Sequence, residues 1–154
     1  MKNIICIFFI VCFSSCSNSN SKYEYEEGLL FYLKEETNIN PISLKDDILY
    51  ITPLDGCEYC VQQNLYNIAK NSKSNFSVLF IGEPMNQEIE SIYNNVINEF
   101  NGKTFHDKKN RINYYDTGYG KPLLVHFKEG ELIYGLIIQD DLIPEASNYI
   151  KDNG

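Results

Sequence analysis

Two short apolar runs with a helix-period segment between them constrain this chain most. Asp47 to Pro53 reads Asp-Ile-Leu-Tyr-Ile-Thr-Pro, and Phe76 to Ile81 reads Phe-Ser-Val-Leu-Phe-Ile. Each has strand length and is apolar enough for burial on both faces. Between them, Val61, Leu65, Ile68 and Ala69 fall at helical spacing within Glu58 to Ser72. A strand, a helix and a second strand of this kind join by a right-handed crossover, which places the two strands parallel.

The rest of the chain extends that unit. Asn86 to Phe100 puts Ile89, Ile92, Tyr93, Val96, Ile97 and Phe100 on one helical face. Thr104 to Arg111 reads as a polar, basic connection, and Ile112 to Tyr115 as a short strand. Leu123 to Phe127, Lys128-Glu129-Gly130 and Glu131 to Ile138 form strand, tight turn and strand, a β-hairpin. Asp140 to Lys151 reads as a terminal helix with Leu142, Ile143, Ala146 and Ile150 inward. Tyr23 to Glu36 fits either a helix or a strand followed by a helix, and Asn38 to Lys45 reads as loop. The expected architecture is α/β, a mixed parallel and antiparallel sheet with helices on both faces.

The chain has 154 residues, 44% of them apolar, enough for one packed domain with a short appendage. Its formal net charge is -8, without a dense Lys/Arg cluster, which argues against nucleic acid as the main partner. No apolar run reaches the roughly eighteen residues of a membrane-spanning helix.

The appendage is expected at the start. Lys2 precedes an apolar run, Ile4 to Phe13, of signal-peptide length. Phe13-Ser14-Ser15-Cys16 follows and resembles the lipobox of bacterial lipoproteins, in which the cysteine is acylated and becomes the mature N-terminus. The competing reading is an ordinary secretory signal with a chance cysteine. Residues 1–15 are thus expected to be a lipoprotein signal peptide. Residues 16–22 would be a lipidated Cys16 with a polar, flexible tether, and residues 23–154 the folded head.

This changes the meaning of the cysteines. There are five. Cys6 and Cys12 lie in the cleaved segment, and Cys16 would carry lipid. One thiol pair remains, Cys57 and Cys60, in an exported, oxidising compartment. Cys57-Glu58-Tyr59-Cys60 follows a buried strand and opens a helix. Unpaired N–H groups and the positive end of the helix dipole favour a thiolate there. Residues three apart share one helix face, so the sulfurs can meet and one can resolve a mixed disulfide formed by the other.

Three other readings compete. A zinc site lacks a second cysteine pair, and His106 and His126 are isolated. A static disulfide closing so small a loop gains little. A copper(I) site suits two thiolates, with His126 as a further ligand, although a satisfied structural histidine on a strand is the simpler account of His126.

On these motifs the chain resembles the thioredoxin-like family. The resemblance rests on the strand Ile48–Thr52, on Gly56-Cys57-Glu58-Tyr59-Cys60, and on Lys121-Pro122-Leu123-Leu124-Val125-His126-Phe127-Lys128-Glu129-Gly130-Glu131-Leu132-Ile133. It spans about Asp47 to Lys151. It implies a thioredoxin-like fold, Cys57 as the exposed nucleophile, Cys60 as the resolving thiol, and Pro122 as a cis-proline facing the pair. The Lys121 backbone would pair with an extended substrate strand. No cofactor is implied.

Several positions depart from the family pattern. Gly56 stands where a tryptophan is usual, and the central dipeptide is Glu-Tyr. Ile51 occupies the place of a buried acid that accepts the resolving thiol's proton in many members. Asp55 and Glu58 would oppose a thiolate, with Lys121 as a counter-charge. Of Tyr59, Tyr114, Tyr115 and Tyr119, the motif neighbours Tyr59 and Tyr119 are the expected groove residues.

The functional expectation is a lipid-anchored thiol–disulfide oxidoreductase of the bacterial cell envelope, outside the cytoplasmic membrane. It would act more as a reductant of protein disulfides than as an oxidant. An upstream electron donor, for which a membrane protein is a candidate, would re-reduce it. The alternatives are a thioredoxin-like copper(I) chaperone and a non-catalytic, partner-binding lipoprotein.

Overall fold

The computed structural model describes residues 23–154, so the expected signal peptide (1–15), the expected lipidation site Cys16 and the expected tether lie outside the described residues. Five strands form one sheet in the order β3-β2-β1-β4-β5. β1 is Asp46–Pro53, β2 Ser77–Ile81, β3 Thr104–Asp107, β4 Leu123–Lys128 and β5 Glu131–Ile137. β1, β2 and β3 run parallel, while β4 is antiparallel to β1 and β5 to β4. The helices are α1 (Glu26–Glu36), α2 (Glu58–Lys70), α3 (Gln87–Glu99) and α4 (Ile143–Asn153). Among them none is long and apolar enough to cross a membrane. The fold is thioredoxin-like, a mixed sheet with helices on both faces, as the motifs implied.

The layers follow from strand alternation. Ile48 and Tyr50 of β1 face a core with Val61, Leu65 and Ile68 of α2, Ile89 and Val96 of α3, and Ala146 and Ile150 of α4. Leu49 and Ile51 face the opposite core, with Leu29, Tyr32 and Leu33 of α1. The β1–α2–β2 and β2–α3–β3 crossovers step in the same direction across the sheet. Their common hand therefore puts α2 and α3 on the same face. Segment 23–45 supplies the other layer as helix α1, which settles the choice between helix and strand plus helix there.

Two expectations fail, both in the polar stretch after α3. Thr104–Asp107 is a strand, not a connection. It is a sheet edge, paired only with β2, so its outer side needs no apolar signature. Phe105 packs into the α1 core, while His106 turns to the other face and bonds the Tyr93 hydroxyl (3.2 Å) and the Gly82 carbonyl (2.6 Å). Residues Arg111–Tyr114 form a 3-10 turn, not a strand. Asp107 directs it by accepting from the Ile112 N–H (3.1 Å) and the Tyr32 hydroxyl (3.0 Å). The hairpin turn is the expected one. Glu129 (φ 53°) and Gly130 (φ 81°) both have left-handed backbone, which suits a two-residue connection to the right-handed strand twist.

Glu36 ties the end of α1 to this turn. Its carboxylate accepts from the Tyr115 hydroxyl (2.7 Å) and pairs with Arg111 (3.2 Å). The Tyr115 hydrogen bond, with Arg111 second in favour, holds its pKa below the usual carboxylate range. A lowered folded pKa stabilises fully above the unfolded pKa and is lost as pH falls through the folded one. Glu36→Gln is therefore expected to lower the melting temperature at pH 7, and the gap to close as the pH drops below the usual carboxylate range. A gap that stays constant down to pH 3 would show that the charge contributes nothing.

Candidate active site

Because β1 and β2 are parallel and covered on both faces, their C-terminal edge is where loops can expose side chains. The chain leaves β1 at Pro53 and is pinned there: the Leu54 N–H donates to the Ile81 carbonyl (2.9 Å), and Met85 N–H to that of Leu54 (3.1 Å). Gly56 makes the turn with φ 98°, a left-handed conformation that explains why a bulky residue does not stand there. Cys57 then caps α2 in extended conformation, its sulfur accepting from the Cys60 N–H at 3.3 Å.

Cys57 and Cys60 are joined as a disulfide, with Cα atoms 5.2 Å apart. Cys57 is exposed and Cys60 half-buried. Both open onto a cavity of about 680 Å³. Lys121, buried Pro122 and half-buried Tyr119 line the same cavity. The cavity thus joins Cys57, Cys60, Tyr119, Lys121 and Pro122. Tyr59 is not brought in: it is 63% exposed on the outer side of α2 and lines no part of the cavity. Tyr114 (82% exposed) and Tyr115 lie toward α1. No peptide bond among the described residues is cis, so Lys121–Pro122 is trans, in contrast to the cis geometry that the resemblance implied. The trans form is the intrinsically favoured one even before proline. Here the Pro122 carbonyl is engaged by the Ile138 N–H (2.7 Å).

Beneath the pair lies a polar chain that sequence reading missed. The Tyr50 hydroxyl donates to Asn64 Oδ1 (2.5 Å), and Asn64 Nδ2 donates to the Cys60 carbonyl (2.7 Å). Tyr50 and Asn64 are both buried. Burial pushes the Tyr50 phenol up, so it stays a donor. Two patterns carried the signal: Asn64 is four residues after Cys60 on α2, and Tyr50 alternates with Ile51 on β1. That alternation also turns Ile51 to the α1 face, away from α2.

Three acids share the cavity. Asp55 stands on the turn before Cys57, and Asp140 and Asp141 begin the 3-10 turn Asp140–Leu142 after β5. The latter two also escaped sequence reading, although a hairpin beginning at Pro122 must return its second strand to Pro122's end. His126 is elsewhere, paired with Ile48 near the opposite end of β1. Its Nε2 bonds Asp46 (2.7 Å) and its Nδ1 the Tyr149 hydroxyl (2.8 Å), so it is a satisfied structural histidine with no nitrogen left for a metal. Among the described residues no group of three or more His, Cys, Asp or Glu side chains is placed to hold a metal ion.

Removing one member of the Tyr50–Asn64–Cys60 chain strands the other buried groups. Asn64→Ala is expected to cost about 1–3 kcal/mol in urea unfolding of the oxidised protein, and Tyr50→Phe with Asn64→Leu together less than Asn64→Ala alone. Equal costs would mean the hydrogen bonds contribute little beyond packing.

No family model and no curated protein matches the chain. Among solved structures it is similar to the solution structure of a thiol:disulfide interchange protein from Bacteroides sp.. The identity is 13%, over 73% of this chain and 78% of that one, with a TM-score of 0.42. By its own strand order and crossovers, the chain is a thioredoxin-like fold that carries a Cys-x-x-Cys disulfide at the head of α2.

Proposed function

We propose that the protein is a thiol–disulfide oxidoreductase working through Cys57 and Cys60, mainly as a reductant of protein disulfides. The observation that carries this reading is the disulfide at the α2 N-terminus, with one sulfur exposed and the other half-buried at the mouth of a cavity. A purely structural bridge gains nothing from that placement, whereas exchange chemistry needs it.

In the reduced protein, the Cys57 thiolate attacks one sulfur of a substrate disulfide. That S–S bond breaks, a Cys57–substrate disulfide forms, and the departing thiolate takes a proton from solvent. Cys60 loses its proton and attacks Cys57 Sγ. The Cys57–Cys60 bond forms, and the substrate leaves as a dithiol carrying two electrons. The Cys60 N–H already faces Cys57 Sγ and joins the helix dipole in favouring the thiolate. Exposed Asp55 and Glu58 oppose it. Pro122 contributes no N–H beside the sulfurs, and Lys121 offers backbone to an extended substrate.

Turnover requires an upstream dithiol donor, which a membrane protein can supply. We place the domain in the bacterial cell envelope, tethered by acylated Cys16. Copper(I) chaperoning is the second reading, carried by the same two sulfurs without the help of His126.

The decisive measurement is the reduction potential of the pair, by equilibration in glutathione or dithiothreitol buffers, alkylation and mass. A value between about -270 and -120 mV is expected, toward the more negative end for a reductant. A value well below about -300 mV marks a structural bridge and overturns the enzyme. In parallel, Cys60→Ser is expected to accumulate Cys57-linked mixed disulfides on non-reducing gels, and Cys57→Ser none. Tight copper(I) binding by the reduced pair without any mixed disulfide would favour the chaperone.

A further inference from the structure

Resting on the redox reading of Cys57 and Cys60, we infer that the cavity beside them selects substrates with a lysine or arginine next to the reacting cysteine. Three carboxylates line it, from Asp55, Asp140 and Asp141, against one cation, Lys121. All three acids are exposed, and none takes part in an ion pair among the described residues. They come from two separated segments, the turn before α2 and the turn after β5, so the negative charge does not depend on one loop alone. They are not grouped to hold a metal ion.

The rest of the cavity fits the body of such a side chain. Val61, Ile138 and Ile143 give it an apolar floor. A lysine or arginine lays its methylene stem along such a surface while its charged head stays near water and carboxylates. Tyr119 also lines the cavity, and its hydroxyl is buried with no hydrogen-bond partner among the described residues. Held protonated by burial and the charges of Asp55 and Asp107, this phenol can both donate and accept, so the preference for a cation rests on the carboxylates. An anionic flank would instead meet like charge from both segments.

A cleft lined by one sign of charge also raises the encounter rate of the opposite sign. The selection therefore acts on association, before sulfur chemistry, and fades with salt. It requires no co-reactant beyond the dithiol: the two electrons that reduce the peptide come from Cys57 and Cys60.

The test is a single-turnover assay with the full chain, reduced and freed of reductant. Three synthetic peptides share one intrachain disulfide and differ only in flanking residues, Lys-Lys, Ser-Ser or Glu-Glu. Each rate is divided by that peptide's rate with dithiothreitol, which corrects for the flank's effect on the disulfide itself. The expected order is Lys, Ser, Glu, with about a tenfold span at low salt that collapses near 1 M salt. Asp140→Asn with Asp141→Asn is expected to shrink the Lys-to-Glu ratio several-fold. Asp140→Lys with Asp141→Lys should reverse it, a gain that misfolding cannot mimic. Equal corrected rates for all three peptides would overturn the inference and leave the redox reading standing. A Lys preference unaltered in both double variants would likewise overturn it. If no peptide is reduced at all, the redox reading fails and this inference with it.

Discussion

Burial of β1 on both faces is the constraint on which the other features depend. Its odd and even residues serve two different cores, so helices must cover both sides of the sheet. Its two neighbours differ in direction, β2 parallel and β4 antiparallel. A strand so enclosed can release the chain to solvent only at its end. The turn after Pro53 is therefore where reactive groups can be exposed while anchored to a rigid element. Leu54, held between Ile81 and Met85 by backbone hydrogen bonds, transmits that rigidity to the turn.

Three segments converge at this edge for one topological reason. The turn before α2 arrives with β1. Residues 119–122 precede β4, which runs the opposite way and so begins where β1 ends. Residues 138–141 follow β5, which reverses β4 and finishes at the same place. Cys57, Tyr119, Lys121, Pro122 and the acids Asp140 and Asp141 are thus neighbours by sheet direction, although up to 84 positions separate them in the chain. The polar chain from Tyr50 through Asn64 to the Cys60 carbonyl adds a fixed support beneath the first turn of α2. The electrostatics are opposed by design of the sequence: a helix N-terminus favours negative sulfur, while the carboxylates around it favour positive visitors.

Sequence patterns were most legible where the signal was local. The apolar runs of β1 and β2, the periodicities of α2 and α3, and the Glu129-Gly130 turn all depend on neighbouring residues and appear as expected; α4 does too from Ile143 on, while Asp140–Leu142 is a 3-10 turn that leaves Leu142 out of both cores. The polar edge strand Thr104–Asp107 was not legible, because a strand paired on one side needs little apolar content. Nor was the 3-10 turn at Arg111–Tyr114, whose geometry is set by a carboxylate, Asp107, that also holds Tyr32 of α1.

By itself, the sequence determined the existence of a doubly covered sheet and of a thiol pair at a helix N-terminus. Both follow from side-chain periodicity and from spacing within a single helical turn. Only the tertiary structure decided which groups face that pair. It turned Ile51 away and Tyr50 and Asn64 toward it, left Tyr59 outside, and brought Tyr119, Asp140 and Asp141 into one cavity. It also held His126 at the far end of β1, closed between Asp46 and Tyr149. The physical reason is that strand register and the direction of antiparallel return bring distant residues together, and neither is written in any local pattern.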